Sequence, residues 1–184
     1  MPQETPRLSV FNDPPRKHVL LLSCMDTRLL DNTVHFMNSL NLQNRYDHVI
    51  LAGAAMGARR LCSPINKPKQ AVGWNKVFFD HLVAAIDLLG REVKDIFLLE
   101  HLDCGAYKEL HPLPVVKDKY KAETVVANLA HFHREEAFAF AAEVEAFCQK
   151  QVKKKEARKD IHVHSLLMDL RGSVTDLDCA ETQS

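Results

Sequence analysis

Two short clusters carry residue types that can do chemistry. Cys24, Asp26 and Arg28 alternate in Cys24-Met25-Asp26-Thr27-Arg28, and His101 and Cys104 stand three apart in His101-Leu102-Asp103-Cys104-Gly105. A thiol, an imidazole and a second thiol are soft-to-borderline ligands that suit zinc, and three of them leave one tetrahedral position for water. A purely structural zinc is more often closed by four protein ligands, so an open set points to chemistry at the metal. Asp26 reads two ways. Its carboxylate can accept a hydrogen bond from a zinc-bound hydroxide, with Arg28 holding it by a charge-assisted pair. Alternatively, Asp26 caps the helix that follows and Arg28 is a surface residue.

Both clusters sit where an apolar strand runs out. His18-Val19-Leu20-Leu21-Leu22-Ser23 ahead of Cys24 and Ile96-Phe97-Leu98-Leu99 ahead of Glu100-His101 are apolar runs of strand length. Open α/β sheets put their chemistry at the carboxyl ends of such strands. A second strand is expected over Asp47 to Leu51 and a fourth over Ile161 to Leu170. Arg171-Gly172-Ser173 should turn into a short final strand. Between them, Leu30, Val34, Met37 and Asn41 space out one helical face, and Phe78, Leu82, Ile86 and Leu89 another, with Gly90 placed to end it. A long helical pattern covers roughly Ala122 to Lys159, with Val125, Leu129 and Phe132 on one stripe and Lys153-Lys154-Lys155 near its end. The turn Ala52-Gly53-Ala54-Ala55-Met56-Gly57 permits close backbone approach and lacks the order of a nucleotide-binding loop. Residues 58–72 read as a long connection. Alternating strands and helices imply an α/β fold: a single domain with a mainly parallel central sheet of four to five strands flanked by helices. The expected organisation is an N-terminal arm (1–16), a zinc-binding α/β domain (17–178) and a polar tail (179–184).

The totals narrow the function classes. The chain has 184 residues, 46% of them hydrophobic, with 24 basic and 24 acidic side chains. That is enough for one real core, and the balanced charge gives no reason to expect nucleic acid or an anionic membrane as partner. No apolar run approaches the ~20 residues of a membrane span. The polar, proline-bearing start is unlike a signal peptide, so a cytoplasmic address is expected. Five cysteines without a secretion signal argue for metal or reactive thiols over a disulfide framework. Cys148 is expected in the core, Cys179 in the tail is read as inert, and Cys62 falls in the long connection. Among ten histidines, His131 and His133 face different directions, and His162 and His164 share a strand face. His35, His48, His81 and His111 are candidate proton shuttles by abundance alone. Asp103 is expected to shape its turn and Tyr107 to pack or to line the site.

The pair of motifs, CxDxR at Cys24 and HxxCG at His101, resembles the β-class carbonic anhydrases. The resemblance runs from about Val19 to the Leu170-to-Leu177 hairpin and is patterned rather than literal outside the motifs. It implies one Zn2+ per chain held by Cys24, His101 and Cys104, and a lyase of the carbonate dehydratase type. The reaction implied is reversible hydration of CO2 to bicarbonate by a zinc-bound hydroxide. It also implies catalytic roles for Asp26 and Arg28, with Asp26 a fourth zinc ligand in a closed state that blocks catalysis. Homodimers or higher homo-oligomers are expected, with only a small-molecule substrate besides. Where the family carries an Arg-Asn-Ala-type segment after the second strand, this chain has Leu51-Ala52-Gly53-Ala54. The departure falls where the substrate would sit. Hydrolysis of COS or CS2 at the same zinc, as in relatives of this fold, is the nearest alternative. A catalytically silent zinc-bearing binding or regulatory protein is the alternative from another class.

Overall fold

A computed structural model of the chain describes residues 18–61, 73–110, 119–152 and 161–178. The elements in order are strand β1 (His18–Ser23), a 3-10 turn (Thr27–Leu29), helix α1 (Leu30–Ser39), β2 (Tyr46–Ile50), α2 (Ala54–Arg60) and α3 (Trp74–Val83). There follow β3 (Val93–His101), α4 (Gly105–Leu110), α5 (Lys119–Val152), β4 (His162–Met168) and β5 (Val174–Asp176). The strands form one sheet in the order β2-β1-β3-β4-β5. All pairings are parallel except β4 with β5, which closes a hairpin. The fold is thus the single α/β domain with a mainly parallel five-stranded sheet that the sequence predicts. The predicted arm, tail and basic run at Lys153 to Lys159 lie outside the described residues, as do His111, Cys62 and Cys179.

Strand alternation divides the core between the two sheet faces. Leu20, Leu22, Ile96 and Leu98 pack with Phe78, Leu82, Phe140 and Val144 from α3 and α5. Val19, Leu21, Phe97 and Leu99 pack with Met37 and Leu40 around α1. β1 is buried along nearly its whole length, as a central strand with both faces covered must be. Cys148 is buried on the α5 face, as its place in an apolar helical pattern predicts. Among the described residues no helix is long and apolar enough to cross a membrane.

Several elements depart from the sequence reading, each for a local reason. β3 continues through Glu100 and His101, because both pair with β4, opposite Leu167 and Met168. β2 begins one residue earlier than expected. Residues 54–60 are helical rather than part of a loop, so the expected connection starts no earlier than Leu61, and residues 62–72 lie outside the described residues. On α1 the buried side chains are Thr33 and Met37, while Leu30 and Val34 are 51% and 39% exposed. Met37 of the expected apolar stripe thus faces the core, while its Leu30 and Val34 do not. α3 runs into a π-turn at Ala84–Leu88, whose extra residue breaks the 3.6-residue spacing. Ile86 stays buried, but Leu88 and Leu89 are turned outward. Gly90, at φ +62°, ends this helix as expected.

The small-residue turn after β2 does permit close approach. A Cβ on Gly57 would stand 1.9 Å from the Ala52 carbonyl oxygen, and one on Gly53 3.1 Å from Ala106 Cβ. Gly53 is left-handed at φ +75° and Ala54 follows at φ +42°. This pair of left-handed residues bends the chain from β2 into α2 directly beside the end of β1.

Candidate metal centre

The register places the two motifs side by side. Ser23 pairs with Leu99, so Cys24 leaves β1 level with Glu100 and one step short of His101. Leu102 then bonds back to the Met168 carbonyl of β4, and Asp103 turns the chain at φ +62° so that Cys104 faces Cys24. The three ligand atoms of Cys24, His101 and Cys104 lie within 4.8 Å of one another, and the two sulfurs are 3.8 Å apart.

These residues fit a tetrahedral divalent cation. Two thiolates, each about 2.3 Å from one tetrahedral zinc, stand about 3.8 Å apart. His101 Nδ1–H donates to the Leu102 carbonyl at 2.9 Å, which fixes the tautomer and leaves Nε2 as the ligand atom. That Nε2 is buried and makes no hydrogen bond to a described residue. The paired sulfurs also behave as a site that wants a cation. A hydrogen bond from Cys104 outweighs burial and, with His101 and the Gly53 amide, draws the Cys24 thiol down to about 4. Cys104 is pushed up by Cys24 and by burial. One sulfur is thus drawn toward the thiolate and the other held as the thiol, and a cation held by both would favour the thiolate in each. His101 is raised despite burial, because the Cys24 sulfur favours its protonated form.

Asp26 and Arg28 form the pair that the first motif suggests. Arg28 Nε donates to Asp26 Oδ1 at 2.9 Å, and its Nη2 to Oδ2 at 2.6 Å. Asp26 also caps the 3-10 turn, accepting Arg28 N–H at 3.0 Å. Asp26 thus both pairs with Arg28 and caps the turn. Arg28's hydrogen bonds hold Asp26 down to about 2. Its Oδ2 lies 4.0 Å from His101 Nε2, beside the three ligands but outside the cluster they form. Arg28 is half-exposed and also grips the second motif through Asp103 Oδ2 at 2.9 Å and the Asp103 carbonyl at 3.2 Å. Lys108 pairs with Asp103 as well. Asp103 thus shapes its turn, as expected.

The other histidines are dispersed. His35, His81, His131 and His162 are exposed. His164 pairs with Asp95 at 2.9 Å. His48 bonds to Ser23 Oγ at 2.7 Å and touches Tyr46 on the α1 face, away from the Cys24 side of the sheet. Sequence reasoning missed a buried polar pair next to the ligands, Glu100 with His133, with Tyr107 packed on His133, and the buried Glu136, which pairs with Arg59 and Arg60. Burial and the Glu100 and Glu136 carboxylates push the Tyr107 phenol upward. The one available signal was Glu100 itself, an acid continuing the Ile96, Leu98 alternation of a buried strand.

No family model matches the chain. An uncharacterized protein of Rickettsia bellii (strain RML369-C) is 33% identical over 114 residues, covering 60% of this chain and 63% of that protein. An uncharacterized protein of Rickettsia conorii (strain ATCC VR-613 / Malish 7) is 36% identical over 91 residues, covering 50% and 44%. The matches thus span less than two thirds of the length of these curated relatives. Among solved structures, a Coccomyxa β-carbonic anhydrase in complex with acetazolamide is similar with a TM-score of 0.55 at 17% identity, covering 88% of this chain and 72% of that one. At that identity the likeness is one of fold: the chain has a β-carbonic-anhydrase-like fold.

Proposed function

We propose that the chain catalyses reversible hydration of CO2 to bicarbonate, as a lyase using one zinc held by Cys24, His101 and Cys104. The observation that carries this reading is the 3.8 Å spacing of the two sulfurs beside an Nε2 that makes no hydrogen bond to a described residue. Two thiolates and an imidazole select zinc over harder cations. Zinc in a three-ligand site acts as a Lewis acid that acidifies water.

The chain's own residues supply the rest. Cys24 and Cys104, bound as thiolates, cancel the cation's charge. His101 is held in one tautomer by Leu102. Asp26, kept ionised by Arg28, is an acceptor-only group next to the open side of the cluster, where it orients a proton-bearing oxygen. Taking the role of a fourth ligand would require Asp26 to leave Arg28. The same centre suits COS or CS2, and the replaced segment Leu51-Ala52-Gly53-Ala54 beside Cys24 favours keeping that second reading.

Stopped-flow CO2 hydration near pH 7 and near pH 9, with zinc measured on the same sample, tests the proposal. Turnover with one zinc per chain is the expected result. Full zinc without turnover on CO2 moves the assignment to COS and CS2, and silence on all three moves it to a binding or regulatory protein. A chain that takes no zinc sinks the reading.

A further inference from the structure

Next to the three ligands lies a buried polar pair that the proposed reaction does not use. Glu100 is 1% exposed and His133 0%. A buried carboxylate is costly unless its oxygens are hydrogen-bonded, and both of these are. Oε1 accepts the Ala55 N–H at 2.8 Å. Oε2 lies 3.0 Å from His133 Nδ1, which must carry the proton because a carboxylate can only accept. Tyr107 packs on His133 with ring centroids 3.7 Å apart.

Ala55 is the second residue of α2, where an amide has no partner within its own helix. The residue that should cap it is Gly53, which has no side chain to do so. β3 therefore supplies the acceptor from another element. What that bond secures is the turn next to Cys24. Gly53 and Ala54 are both left-handed, and an alanine there is strained and persists only where its surroundings hold it. From this turn the Gly53 N–H donates to Cys24 Sγ at 3.3 Å.

We propose that Glu100 is a positioning residue for the metal centre. By holding Ala55 N–H it keeps the Gly53–Ala54 turn closed and the Gly53 amide on Cys24 Sγ, and so sets that thiolate's donor strength toward a cation. The inference rests on the three-ligand metal reading and not on CO2 as substrate. A hydrogen bond to a ligating sulfur draws electron density from it, and outer partners of this kind tune both affinity and spectrum.

Co2+ is the probe, because thiolate-to-cobalt absorption reports directly on the sulfur donors. Two variants separate geometry from charge. Glu100→Gln keeps the length and an oxygen for Ala55, while His133 meets the new amide in its other tautomer. Glu100→Asp keeps the charge but withdraws the oxygens by one methylene. Glu100→Gln is expected to bind Co2+ within about threefold of wild type with the same band, and Glu100→Asp to lose about tenfold or more with the band shifted. The reverse order, or two variants indistinguishable from wild type, overturns the proposal. Amide hydrogen exchange decides the matter even if Glu100→Asp does not fold. Slow exchange at Gly53 and Ala55 in wild type and Glu100→Gln is expected, and exchange as fast as at exposed amides overturns it. A wild type that takes up no Co2+ overturns this proposal and the metal reading together. One that takes Co2+ but does not hydrate CO2 overturns only the activity.

Discussion

Asp26 serves two masters, capping the turn after β1 and pairing with Arg28 beside the ligand cluster. Asp26→Asn keeps a cap and a hydrogen-bond acceptor but loses the charge that Arg28 holds. It is expected to retain zinc by metal analysis and to lose about 10²-fold or more in CO2 hydration by stopped flow. Full activity in that variant would remove Asp26 from the mechanism. The ligands behave differently. Cys104→Ser is expected to lose zinc on dialysis, since a hydroxyl stays protonated where a thiol ionises onto the metal. Because two thiolates cancel the cation's charge, wild-type turnover should rise from neutral toward alkaline pH. A rate profile flat from mildly acidic pH upward would contradict the two-thiolate centre.

At the scale of elements, α2 is the piece that must not move, and glycine explains why. Gly57→Ala would drive a Cβ into the Ala52 carbonyl oxygen, backbone against backbone, and should cost about 1–3 kcal/mol or more in urea denaturation. Gly90→Ala meets no atom within 4 Å and should cost only its left-handed strain, about 1 kcal/mol. On the edge strand β2, burial lowers the His48 pKa. The unfolded chain takes up its proton near pH ~6.5, so His48's contribution is present above that value and is lost as pH falls below it toward the lower folded pKa. Between pH 7.5 and pH 5.5, wild type should therefore lose more stability than His48→Gln. The strands were legible because an apolar run that stops at Cys24 or His101 announces both its burial and its end. What was not legible depended on contacts distant in sequence. The buried acid Glu100 finds its donors on α2 and α5, and the π-turn that expels Leu89 leaves no mark in residue spacing. Leu30 and Val34 fit a helical stripe in the sequence, yet the sheet is met by the neighbouring face of α1.

Those two exposed side chains bear on the whole molecule. Leu30 and Val34 are one turn apart on α1, and Met25 and Ile50 are also large, apolar and exposed. Exposed apolar side chains grouped on an element are most simply covered by another protein surface. These residues support the proposed homodimer or larger homo-oligomer. Light scattering should report more than one chain per particle, with the Leu30→Arg, Val34→Arg double variant shifted toward monomer. An unchanged mass in that variant would place the contact elsewhere.

Cys24 and Cys104 are 80 positions apart and meet only because β1 and β3 lie in register. Before that pairing forms there is no centre, merely two distant thiols on a loose chain. Whatever cation the three residues accept, its free energy of binding is therefore added to the joining of those two strands. Release of the ion and separation of the sheet become linked events. The midpoint of melting should climb with free zinc, and a chelator should act on this protein as a mild denaturant.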